Sequence, residues 1–131
     1  GETTEVNDYL VKRTQEILKG TAQSLDVQLS IEDLGTVYDI KNDPELVEYL
    51  KEVASQCPLV KAVTTHSDFG GSEDASIIIK RIQQLFGKCI YFVIGADRTA
   101  GHHQPDFDAD EAALEIGFEM FKGLIRKING C

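Results

Sequence analysis

Two of the three histidines of this chain stand side by side in Gly101-His102-His103-Gln104-Pro105-Asp106-Phe107-Asp108-Ala109-Asp110-Glu111, among four acids. A neutral imidazole is the commonest biological metal ligand, and zinc-like ions take it together with carboxylates. Adjacent side chains on an extended loop point apart, so one ion is not expected to hold both histidines. The acids have a plainer use. Asp108 as N-cap and Glu111 three residues on spell a capping box for a following helix, which leaves His102, His103 and Pro105 unexplained. The acid spacing lacks the central glycine and terminal bidentate acid of an EF-hand, and there is no nucleophile elbow or Cys-His signature. His66, in a second polar loop, reads as an exposed loop histidine.

Gly70-Gly71-Ser72-Glu73-Asp74 is the other stretch with chemical potential, and two readings of it stand. Its glycines and the free N–H groups of the helix it opens suit an anion or a substrate. The plainer reading, which the residues alone favour, makes Gly71 and Ser72 a turn and a cap, with Glu73 and Asp74 answering the helix dipole.

These loops need elements to position them. The first is preceded by a continuous apolar run, Cys89 to Ile94, expected as a buried central strand, and followed by a helix over Glu111 to Ile128. That helix carries one stripe of Ala113, Ile116, Gly117, Met120, Phe121, Leu124 and Ile128 and stops at Gly130. The glycine-rich loop leads into a helix over Ala75 to Phe86, with Ile78, Ile79, Ile82 and Leu85 inward and Gly87 in the left-handed position after it. Upstream, Glu2 to Val6 suggests a short strand, and Asn7 caps a helix with Leu10, Val11, Ile17, Leu18 and Ala22 on its apolar side. Leu25, Val27, Leu29 and Ile31 alternate with polar residues as a half-buried strand does, and Thr36 to Ile40 reads as a return segment. Asp43-Pro44 starts a helix running to about Ala54, which buries Leu46, Val47, Leu50, Val53 and Ala54 and ends at Cys57-Pro58. Leu59 to Val63 is a further apolar run of strand length. Alternating strands and helices predict an α/β class.

With 131 residues, 42% hydrophobic and 27% charged, the composition is that of a globular protein. The net charge of −9 with scattered Lys and Arg argues against a nucleic-acid partner. No stretch is long and apolar enough for a membrane span and no leader pattern opens the chain, so a cytoplasmic address is expected. Cys57, Cys89 and Cys131 are odd in number and widely spaced, as free thiols are. Cys89 is expected as core rather than as a ligand.

Taken together, Gly71 to Asp74, the apolar strand ending in Ile94-Gly95, and His-x-Pro-x-Phe-Asp-x-Asp-Glu from His103 to Glu111 resemble the dinuclear metal amidohydrolases. That family includes aminoacylases, glutamate carboxypeptidases, auxin-conjugate hydrolases and aminobenzoyl-glutamate hydrolases, the last being the nearest in pattern. The resemblance runs from about Thr4 to Leu124 and covers only the C-terminal third or so of such an enzyme.

It implies the C-terminal part of a zinc-peptidase-like three-layer α/β/α catalytic domain over residues 36–131. Before it, residues 1–35 would be the strand-helix-strand second half of a lid, or dimerisation, domain. It further implies amide hydrolysis of an N-acyl or aminobenzoyl amino acid by water activated between two divalent ions, zinc or manganese. His103, four residues before Phe107, takes the place of the metal-binding histidine. Gly71, Ser72, Glu73, Asp74 and His102 fall to substrate contacts. No catalytic residue is assigned within this chain, because the family's general base and bridging carboxylate have no counterpart in it. The chain is therefore expected to be inactive alone, to act on a small amide substrate as part of a longer enzyme, and to form a homodimer or self-associate. The alternative is a non-catalytic module that binds a partner or anion through the Gly70 to Asp74 loop.

Overall fold

The computed structural model describes residues 3–65 and 73–130. Four helices are formed: α1 (Thr4–Ser24), α2 (Pro44–Gln56), α3 (Ala75–Gln84) and α4 (Ala112–Asn129). Among the described residues there is no β-ladder, only one isolated antiparallel bridge between Arg98 and Ala109. The runs expected as strands at 25–31, 59–63 and 89–94 carry no ladder: Leu25 and Asp26 lie in the turn that follows α1, Leu59 lies in a turn, and the remaining positions have no regular secondary structure. The chain divides into two units, one from stretches 1–41 and 70–87, the other from 42–69 and 88–131.

In the first unit, α1 starts at Thr4, which corrects the expected strand over Glu2 to Val6 and the expected cap at Asn7. Two oxygens cap the earlier start and outweigh the β-propensity of Thr and Val. The Thr3 hydroxyl accepts from Val6 N, and the Asp39 carboxylate accepts from both Thr4 N and the Thr4 hydroxyl. Of the expected apolar side of α1 only Ala22 is buried; Leu10, Val11, Ile17 and Leu18 are exposed. The helix closes with Asp26 left-handed at φ 49° and Val27 N donating to Ala22 O. Val27, Leu29 and Ile31 then line, with Gln15, Lys19 and Gln23 of α1, a groove of about 540 Å³.

The return segment is bolted to α3. Tyr38 N donates to the hydroxyl of fully buried Ser76, Gln83 Nε2 donates to Lys41 O, and Lys80 lies over the Tyr38 ring. Ile79 is the buried apolar residue of α3, whereas Ile78 and Leu85, expected inward, are 64% and 63% exposed. Left-handed φ after α3 falls on Phe86, at 62°, not on Gly87. Gly87 meets a different demand: a Cβ there would stand 2.5 Å from Ile82 Cγ2.

In the second unit the expected face of α2 is found, with Leu46 and Ala54 buried and Val47, Leu50 and Val53 half-buried. Pro44 takes the first helical position as predicted, but the Asp43 carboxylate does not cap the helix. It accepts instead from Cys89 N at 2.7 Å, while Asp43 N donates to Cys89 O at 3.0 Å. Asn42 does the same one step along: its Oδ1 accepts from Tyr91 N and its Nδ2 donates to Tyr91 O. On an extended strand Cys89 and Tyr91 turn these groups to the same edge, so Asn42 and Asp43 stand where a neighbouring strand would pair. Instead of a fully buried central strand, Cys89 to Phe92 and Ile94 are half-buried and Val93 is exposed.

Helix α4 packs on α2, with its Met120 and Leu124 buried and its Gly123 directly against Val53. Lys127 closes the same face with an ion pair to Glu52 and a position over the Tyr49 ring. Phe92 and Phe121 meet with centroids 4.9 Å apart and their planes tilted by 46°, and Gly130 ends α4 in the left-handed conformation at φ 71°, as its position predicted. Other members of the expected stripe, Phe121 and Ile128, remain more than half exposed. No described helix is long and apolar enough to cross a membrane.

Candidate metal-binding loop

The histidine pair sits at the end of a tongue that leaves Cys89–Ile94 and returns into α4. Its base is closed in antiparallel fashion: Asp110 N donates to Asp97 O at 2.9 Å, and Thr99 N donates to Asp108 O at 3.0 Å, around the Arg98–Ala109 bridge. Above this base the Thr99 hydroxyl donates to Asp106 O at 2.6 Å and accepts from Asp108 N at 2.9 Å. Two successive turns form the tip, Gln104 N donating to Gly101 O and Phe107 N to Gln104 O.

His103 occupies the third position of the first turn at φ 64°, a conformation a type II turn requires and glycine or asparagine usually provides. His102 precedes it and stacks on Phe107, ring centroids 5.2 Å apart. Both histidines are exposed, as are Asp106, Asp108, Asp110 and Glu111. The tongue thus brings His102, His103 and Phe107 together.

The expected capping box is not formed. Backbone N–H and C=O of Asp108 are committed to Thr99, which keeps that residue in the tongue, and its carboxylate accepts from Ala109 N. Glu111 is the N-cap of α4 without a side-chain bond, and Asp110 holds the free Ala112 N–H at 2.9 Å.

Glu73 and Asp74 lie at the start of α3 in the other unit. Glu73 is half-buried and Asp74 exposed; their carbonyls accept from Ser76 N and Ile77 N, and no side-chain cap is made. Gly70, Gly71, Ser72, His66 and Cys131 lie outside the described residues. Cys57 and Cys89 are free thiols. Burial, helped by the Asp43 carboxylate, pushes the Cys89 thiol up, which favours the protonated form over a ligating thiolate.

Among the described residues no group of three or more His, Cys, Asp or Glu is placed to hold a metal ion. His103 fits as one donor, an exposed imidazole presented on a tied turn, and not as part of a finished ligand set. Sequence reasoning missed Thr99: a hydroxyl that answers two backbone groups leaves no spacing pattern.

Peptidase family M20/M25/M40 matches residues 5–127 of the chain. Similar curated proteins include a homolog of a p-aminobenzoyl-glutamate hydrolase subunit, from Haemophilus influenzae, 38% identical over 98% of this chain and 30% of that protein. The indole-3-acetyl-aspartic acid hydrolase of Enterobacter agglomerans is 34% identical over 91% of this chain and 28% of its own length. For a p-aminobenzoyl-glutamate hydrolase subunit of Escherichia coli the figures are 32%, 91% and 28%. The chain therefore spans less than a third of the length of these relatives. No solved structure matches it at a comparable level of significance.

Proposed function

The chain belongs to peptidase family M20/M25/M40, and from that premise we propose that it is part of a metal-dependent amidohydrolase cleaving the amide bond of an N-acyl or aminobenzoyl amino acid. One observation carries the reading: the match extends over nearly the whole chain to relatives named as hydrolases of p-aminobenzoyl-glutamate and of indole-3-acetyl-aspartic acid. Both names describe an aromatic acyl group joined to an acidic amino acid.

In this proposal His103 is one metal ligand, His102 contacts substrate from its place on Phe107, and Gly71, Ser72, Glu73 and Asp74 border the substrate pocket. Two divalent ions, zinc or manganese, supply Lewis acidity and a water of lowered pKa when bound. Neither a general base nor a bridging carboxylate is assigned to this chain. In this proposal those groups come from a part of the enzyme outside this chain.

The α/β peptidase fold goes with the family. Its finer form, a three-layer α/β/α domain over 36–131 with a lid piece over 1–35, is the arrangement we propose. In it the apolar runs 59–63 and 89–94 become sheet strands once pairing partners are present. Exposed Phe118, Leu114, Ile125 and Val93 fit a surface made to be covered. A cytoplasmic, dimeric enzyme completes the proposal, and the isolated chain self-associates.

A chimera tests it: the Haemophilus influenzae relative with its matching segment replaced by this chain. Turnover of p-aminobenzoyl-glutamate or N-acetyl amino acids with zinc or manganese is expected from the chimera and none from the 131-residue chain. A folded, metal-loaded chimera without turnover on any of these contradicts the substrate assignment. Turnover by the chain alone, lost on His103→Ala, contradicts the placement of the catalytic groups elsewhere.

A further inference from the structure

Resting on the proposed role of His103 as a ligand, we infer that Thr99 is the positioning residue of that histidine. A threonine hydroxyl donates once and can accept as well. In Thr99 both capacities are used inside the tongue, the proton going to Asp106 O at 2.6 Å and the lone pair taking Asp108 N–H at 2.9 Å. A second acceptor, Asp108 O, is 3.4 Å from the hydroxyl, and already receives Thr99 N at 3.0 Å.

Asp106 and Asp108 flank Phe107, whose ring carries His102. The hydroxyl therefore fixes the returning limb of the tongue, the ring pair couples that limb to the outgoing one, and His103 is held between them. Its left-handed φ of 64° points the same way. Residues other than glycine seldom adopt that conformation, and it persists only where the surroundings over-determine it. Thr99 is a main part of that determination, because among the described residues the other ties of the tip are its two turn hydrogen bonds and the ring stack.

Valine keeps the shape of threonine and removes both hydrogen bonds, whereas serine keeps both. A metal ligand must be held to within about 0.5 Å, and loss of a group that orients a ligating histidine weakens metal affinity about 10–100-fold. Those figures apply to Thr99→Val and not to Thr99→Ser.

Two measurements test the inference. On the 131-residue chain, NMR follows amide exchange at Asp108, the contact between the His102 and Phe107 rings, and the backbone signals of His103. Thr99→Val is expected to speed Asp108 exchange about tenfold or more and to move His103 to averaged loop values, with Thr99→Ser unchanged. In the Haemophilus influenzae chimera, zinc affinity by chelator competition should fall with Thr99→Val and be rescued by Thr99→Ser. Unchanged His103 signals together with unchanged zinc affinity in Thr99→Val overturn the inference. If the chimera binds no zinc with Thr99 intact, the proposed function fails instead, and the NMR result alone decides whether Thr99 sets the conformation of His103.

Discussion

Replacing Gly123 by alanine probes the α2–α4 packing that carries the histidine tongue. A Cβ at this position would fall well inside 3.0 Å of Val53 Cγ1, with Val53 Cγ2 at 3.4 Å and Val53 Cβ at 3.5 Å. Valine in a helix is confined to essentially one rotamer, so relief requires the helices to move apart. Overpacking of this kind costs about 1–3 kcal/mol, and the gain in helix propensity of alanine over glycine offsets about 1 kcal/mol of it. Gly123→Ala should therefore destabilise by roughly 1 kcal/mol. In a Val53→Ala background the obstacle is gone, and the same substitution should stabilise by up to about 1 kcal/mol. The predicted coupling is about 2 kcal/mol, measured by urea unfolding of the four variants of the cycle followed by far-UV circular dichroism. An effect of the same sign and size in both backgrounds would refute the close contact.

Phe86 is 99% exposed and left-handed, so Phe86→Asn removes backbone strain without removing packing; a gain of about 1 kcal/mol is expected in the same unfolding assay, and no gain would show that the ring has a partner. The Asp39 carboxyl is held down from 3.8 to about 2, first by the hydrogen bond from the Thr4 hydroxyl and then by Lys41. A depressed carboxyl favours the folded state above its unfolded value, so the contribution is complete above pH 4, is lost as pH falls through about 2, and amounts to about 1–2 kcal/mol after allowing for exposed Lys41. Asp39→Asn should accordingly be the less stable form at pH 6, with the gap closing between pH 4 and 2; a gap that does not narrow would contradict this cause.

Local signals are legible where local physics decides. Asp43-Pro44 and the five apolar positions of α2 lie where the sequence puts them, and Gly130 ends α4 in the left-handed conformation. What escapes the sequence are side chains engaged at long range. Asp43 turns to Cys89, Asp39 caps a helix thirty-five positions away, and Thr99 claims the backbone of Asp108, so that Asp110 and not Asp108 takes the Ala112 N–H at the start of α4. Apolar alternation at 25–31 and the run at 89–94 state a demand for pairing that the described residues do not meet, so the pattern is visible and the ladder is not. The histidine loop is legible by residue type and by the offset of His103 from Phe107. Its conformation depends on ties that leave no sequence pattern.

The proposed role of His103 as one ligand of a metal amidohydrolase is tested most directly by the metal content of the purified chimera. Elemental analysis of the parent, His103→Ala and His102→Ala forms, each checked for folding, is the measurement. His103→Ala is expected to lose bound metal while His102→Ala retains it. Loss with His102→Ala and retention with His103→Ala would contradict it.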